Sequence, residues 1–135
     1  MIYTFQFRME LMGGTMFKEY SFGRIKYIDK VYSHDIVVHT DDKVDKRDKT
    51  LSRRKYGTSH ILSTDEVQNL LDEDLEVLLV GRGQSGVLRV DEDVRQLLSA
   101  KKVDLVDLPT QKAIDKFNNL KKQGINVAAI IHITC

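Results

Sequence analysis

Gly81-Arg82-Gly83-Gln84-Ser85-Gly86 follows an apolar run and has the spacing of a dinucleotide-binding loop. In such a loop the glycines let backbone N–H groups approach a pyrophosphate at the start of a helix. Here Val87-Leu88-Arg89-Val90 continues the chain in extended form, and the next helix signal is Asp91. By itself, then, the loop reads as a tight turn with close backbone approach. Histidines at 34, 39, 60 and 132 and the single Cys135 raise metal and thiol chemistry. No pair among them has a zinc-ligand spacing, so neither a metal site nor a cofactor is expected. Cys135 offers a nucleophile if His132 or Arg82 activates it. Side chains three apart on an extended chain point to opposite faces, however, which separates Cys135 from His132. His132 itself reads as a hydrogen-bonded core residue. The densest polar cluster is Arg53-Arg54-Lys55-Tyr56-Gly57-Thr58-Ser59-His60, where an aromatic among cations resembles a nucleic-acid contact. Four aspartates between Asp41 and Asp48 compete for those cations, so nucleic acid is disfavoured and an internally paired, exposed loop is expected.

The elements that must position these residues fall into two halves. Lys18–Tyr27 and Tyr32–Thr40 are rich in aromatic and β-branched residues and read as antiparallel strands. Gly23 marks a bend or bulge in the first, and Asp29-Lys30 a hairpin turn. Ile2–Leu11 reads as an additional strand before the Gly13-Gly14 turn. Asp41–Lys55 carries seven basic and four acidic residues with one Val and one Leu, and is expected to be a solvated hairpin or loop outside the core.

From Ser63 onward helix and strand alternate. Ser63-Thr64-Asp65-Glu66 is a capping-box signature ahead of Val67, Leu70 and Leu71. Glu76–Val80 reads as a strand buried on both faces, Val103–Leu108 as the next strand, and Asn126–Ile133 as the last strand and the most apolar stretch. Between them, Asp91 caps a helix with Val94, Leu97 and Leu98 on one face. Thr110 caps another that carries Ala113, Ile114, Phe117 and Leu120 and ends at Gly124. The expected fold is α/β, a three-layer single domain with a mixed central sheet, antiparallel in front and parallel behind. Residues 1–17 would be a β extension to it.

The 135 residues suit one domain, and 41% hydrophobic with 30% charged residues is a globular composition. With 21 Lys and Arg against 20 Asp and Glu, the net charge is +1, and no global basic field favours nucleic acid or an anionic membrane. One cysteine excludes an intrachain disulfide framework. No apolar run reaches membrane-spanning length and no secretion signal opens the chain, so a cytoplasmic location is expected.

GRGQSGVLRV, then LPTQKAIDKFNNL, then VAAIIHITC resemble the Mth-domain family. That family includes uncharacterised archaeal proteins, animal adipogenesis-associated Mth-domain proteins and a mitochondrial complex I assembly factor. The resemblance covers about residues 20–135. It is sharpest in the glycine loop, in the Thr-x-x-Ala-x-x-x-Phe-Asn helix (Thr110, Ala113, Phe117, Asn118) and in His-x-Thr-Cys (His132, Thr134, Cys135). SRRKYGTSH, Ser52–His60, is similar to the archaeal branch, and Phe22-Gly23 and Asp35 match the front strands. The tryptophan that many members carry in the middle segment is absent. The resemblance implies a compact three-layer α/β fold with no established catalytic activity.

If the strands ending at Val80, Leu108 and Ile133 are parallel, the loops after them share one edge of the sheet, where α/β proteins bind ligands. That edge gathers Gly81, Arg82, Gly83, Gln84, Ser85, Thr110, Thr134 and Cys135 in a concavity suited to a small anion. The plainer reading makes Thr110 a helix cap and Arg82 a solvated side chain. No motif unites nucleophile, base and orienting group. A non-catalytic binding or assembly-type protein is therefore expected, with an unknown protein partner or a small anionic ligand. The alternative is an enzyme acting on such an anion. Oligomeric state is open.

Overall fold

Three antiparallel strands, β1 (Phe17–Ser21), β2 (Arg24–Tyr27) and β3 (Lys30–Tyr32), begin the part of the chain that the computed structural model describes, residues 16–71 and 74–135. The strand expected within Met1–Leu11 lies outside the described residues. Gly23 does not bend one strand, as expected, but turns a hairpin. Its φ is +78°, and its N–H donates to the carbonyl of Ile133 at 2.7 Å. The next reversal pairs Tyr27 with Lys30, so Ile28-Asp29 forms the turn, one residue before the expected pair, with Ile28 at φ +56°.

The main sheet takes β4 (Ile36–Val38), β5 (Val44–Lys46), β7 (Val77–Arg82), β9 (Asp104–Leu108) and β10 (Val127–His132), in the order β5-β4-β10-β7-β9. β7 runs parallel to both β9 and β10, whereas β4 is antiparallel to β10 and to β5. The expected mixed sheet is therefore present. Short strands β6 (Ile61–Leu62) and β8 (Arg89–Val90) pair in parallel beside it.

β10 is buried along its whole length because both faces of the sheet are covered. Val77, Leu79, Val127, Ala129 and Ile131 pack against the meander and helix α4 (Thr110–Lys122). Leu78, Val80, Ala128 and Ile130 face the other way. They meet Val67 of α2 (Thr64–Val67), Leu70 of the 3-10 turn Gln68–Leu70, and Val94 and Leu98 of α3 (Glu92–Ala100). This period-two split is what makes three layers from these sequences. In α4 the buried residues Thr110, Ala113, Ile114, Phe117 and Lys121 recur at three and four. Fully burying Phe117 stabilises by roughly 2–3 kcal/mol. Gly124, at φ +78°, follows this helix as expected.

Asp41–Lys55 departs from expectation. It forms β5 and then α1 (Lys49–Tyr56), whose N-cap Asp48 accepts the Thr50 N–H at 3.1 Å. Arg47 and Ser52 inside the segment are buried. Apolar content misleads here because the segment is anchored by a paired guanidinium.

Candidate functional site

Asp35 lies just before β4, with its side chain only 2% exposed. One carboxylate oxygen accepts His132 Nδ1 at 2.8 Å and Arg47 Nη1 at 3.0 Å, with Lys49 Nζ at 3.6 Å. The other accepts the Ile133 N–H at 3.0 Å. Burial opposes ionisation, yet the His132 hydrogen bond and charge, the Ile133 N–H and Lys49 together hold the carboxyl down at about 2. In the neutral ring, an ionised acceptor makes Nδ1 the protonated nitrogen of His132 and leaves the lone pair on Nε2; in the charged ring both nitrogens carry protons. Thr134 Oγ1 stands 3.4 Å from that Nε2.

Arg47 extends the network. Its Nε donates to Glu66 at 2.6 Å and its Nη2 to the Ser59 carbonyl at 2.8 Å. Glu66 also closes the expected capping box, accepting the Ser63 N–H at 2.8 Å. One glutamate thus starts α2 and neutralises a buried cation, which a purely local reading of the capping box misses.

The loops after β7, before α4 and after β10 do converge. Thr110 is not the cap; Pro109 occupies that position. Completely buried, the Thr110 hydroxyl instead donates to the His132 carbonyl at 2.6 Å and accepts the Gly83 N–H at 2.9 Å. Gln84 N–H donates to the Thr134 carbonyl at 2.7 Å, Gly86 to Gly83 at 3.3 Å and Val87 to Cys135 at 3.0 Å. Those N–H groups are therefore consumed inside the protein, against the expectation that they would face an anion. Arg82 is half-buried with Nε lacking a partner among the described residues, and its guanidinium lies over Gly86. Gln84 and Ser85 are exposed at the loop tip.

Cys135 does not point away from His132. β10 stops at His132, so the strand alternation that would separate them no longer applies. One ring nitrogen from each of His60 and His132 and the Cys135 Sγ lie within 4.8 Å of one another. The two imidazoles meet edge to face, 5.5 Å between centroids. Spacing along the chain could not reveal this set, because His60 arrives beside β6 through its pairing with β8, where Arg89 N–H donates to the His60 carbonyl at 2.9 Å.

The other expected polar cluster is dispersed. Arg53, Arg54 and Lys55 lie exposed on α1, Tyr56 gives its hydroxyl to Asp91, and His60 joins His132. Asp91 caps α3 by position but not with its side chain, which Tyr56 engages.

A concavity lies to one side of the glycine loop, which does not line it. A cleft of about 570 Å³ opens between the β3–β4 turn, the segment from β5 into α1, and the chain after β10. Ser33, Thr50 and Thr134 supply hydroxyls, and Lys46, Lys49 and Arg53 supply cations above the buried Asp35–Arg47 pair. Cations outnumber carboxylates by four to two in its walls. Of the expected site residues, Thr134 and Arg53 belong to it. Lys46, Arg47, Lys49 and Thr50, in the segment expected to be a solvated hairpin or loop, line it as well. The legible signal was Asp48 two residues before Thr50, a helix cap with α1 behind it.

The Thr-x-x-Ala-x-x-x-Phe-Asn motif holds the fold together. Thr110 ties the loops, Ala113 packs on the sheet and Phe117 meets Phe17 and Tyr27 edge to face. Asn118 accepts the Phe17 N–H at 2.9 Å and donates to the Phe17 carbonyl at 3.1 Å, fixing β1.

The chain matches the family described as "Protein of unknown function (DUF498/DUF598)" over residues 17–132. It is similar to the solved structure of MT938, with 41% identity over 89% of this chain and 98% of that one, at a TM-score of 0.79. It is also similar to the conserved hypothetical protein PH1505 from Pyrococcus horikoshii OT3, with 34% identity over 88% and 98%, at 0.82. A Bordetella pertussis protein described as a Mth938-like domain shares the fold at 20% identity over 89% and 86%, at 0.54. The Mth-domain resemblance is thereby shown. No helix among the described residues is long and apolar enough to cross a membrane.

Proposed function

The chain belongs to the DUF498/DUF598 family, and from that premise we propose that it is a non-catalytic binding domain whose ligand is a small organic anion. The observation that carries this reading is the 570 Å³ cleft with Lys46, Lys49 and Arg53 on its rim. Its volume falls in the usual range for metabolite sites, roughly 300–1,000 Å³. Hydroxyls of Ser33, Thr50 and Thr134 add neutral donors suited to phosphate or carboxylate oxygens. We propose the cytoplasm as its location, an environment in which the exposed Cys135 thiol stays reduced.

The test is a thermal-shift series with nucleotides, sugar phosphates and dicarboxylates on the native chain and on Arg53→Glu. A ligand at 100 times its Kd stabilises by about 2.7 kcal/mol. Saturable stabilisation by one class, lost in Arg53→Glu, supports the reading. No response to any class, or a response that the variant retains, overturns it. The competing reading, an enzyme acting on the bound anion, rests on the Asp35–His132 pair, whose Nε2 adjoins Thr134 at the cleft wall. Mass spectrometry of the ligand after incubation decides between them, because only an enzyme changes it.

A further inference from the structure

We propose that His60, His132 and Cys135 form a binding site for a zinc-class divalent cation. Their donor atoms already lie within 4.8 Å of one another. Around tetrahedral zinc, ligand atoms stand about 3.3–3.7 Å apart, given Zn–N near 2.0–2.1 Å and Zn–S near 2.3 Å. Closing that gap needs a contraction of about an ångström, and two of the three ligands have freedom to provide it. Cys135 is exposed and His60 is half-buried after α1, whereas His132 is 1% exposed and held rigidly.

The second, independent observation is the orientation of His132. Asp35 engages Nδ1 at 2.8 Å, the carboxylate–histidine arrangement that fixes a metal-ligating imidazole and directs Nε2 outward. Nε2 has the Thr134 hydroxyl 3.4 Å away. Two imidazoles and a thiolate suit zinc and disfavour magnesium or calcium, which need oxygen ligands. Three protein ligands leave a fourth position for water or a small molecule. Arg82 neighbours His132 in the strand register, but its guanidinium lies over Gly86.

The experiment titrates the reduced, chelator-treated full chain with cobalt(II) and then displaces the cobalt with zinc. Because the sequence contains one cysteine, any thiolate-to-cobalt charge-transfer band reports Cys135. The expected result is one equivalent of cobalt with that band, bleached by zinc. Cys135→Ser abolishes the band, His60→Ala weakens affinity about tenfold or more, and His34→Ala changes neither. Should His60→Ala fail to fold, zinc protection of Cys135 from alkylation in the native chain serves as the second readout. Absence of the band, unchanged affinity in a folded His60→Ala, or unprotected alkylation overturns the site.

Discussion

Asp35 and His132 meet at 2.8 Å although one precedes β4 and the other ends β10, with Arg47 on the same carboxylate oxygen at 3.0 Å. Breaking a buried pair strands the remaining charge, so Asp35→Ala is expected to destabilise by about 3–5 kcal/mol. Urea unfolding would show this as a fall in midpoint at unchanged slope. A loss under about 1 kcal/mol would mean that Arg47 is satisfied by Glu66 alone.

The same contact sets an acid limb. The Asp35 carboxyl sits at about 2 in the fold against 3.8 ordinarily. A lowered folded value contributes stability that is fully present above 3.8 and lost as pH falls toward 2, worth roughly 2 kcal/mol. Stability of metal-free protein followed through that window should drop accordingly, and Asp35→Asn should flatten the drop.

Thr110→Val removes the hydroxyl that joins the Gly83 N–H to the His132 carbonyl. Both partners are then buried and unpaired, a cost of about 1–3 kcal/mol by chemical denaturation. Thr110→Ser keeps both hydrogen bonds and should recover most of it. Equal losses in the two variants would locate the effect in the methyl group instead.

Gly83→Ala should be disruptive. Its φ is +96°, and a Cβ there would stand 2.5 Å from the Cys135 backbone and 2.7 Å from His132 Cδ2. Backbone cannot yield as a flexible side-chain tip does, so a cost of at least about 2 kcal/mol is expected, with altered Cys135 alkylation. Native-like stability and alkylation would show that the chain after β10 repacks freely.

Lys46 and Arg53 line the cleft from exposed positions. Lys46→Glu with Arg53→Glu should leave stability within about 0.5 kcal/mol per change while cutting anion affinity about tenfold or more, measured by calorimetry. Arg82→Ala, outside the cleft, should leave that affinity unaltered.

Local chemistry was enough to read the capping box at Ser63–Glu66, the helices over Val94–Leu98 and Ala113–Leu120, the closing Gly124, and the strands β7, β9 and β10, of which β9 is only partly buried. Apolar patterning is itself the cause of the helices and strands, while side-chain capping and glycine's left-handed conformation set their ends. Parallel pairing followed from the helical crossovers between β7, β9 and β10, and with it the meeting of Gly83, Thr110 and Thr134. Tertiary contacts alone decided the rest. Arg47 looks like a solvated cation until Asp35 and Glu66 close on it, because the burial of a charge depends on partners distant in sequence. Thr110 looks like a cap until the Gly83 N–H takes its hydroxyl. His60 and Cys135 come to His132 only through the β6–β8 pairing and the end of β10. Spacing along a chain predicts neighbours within one element, and these three belong to different ones.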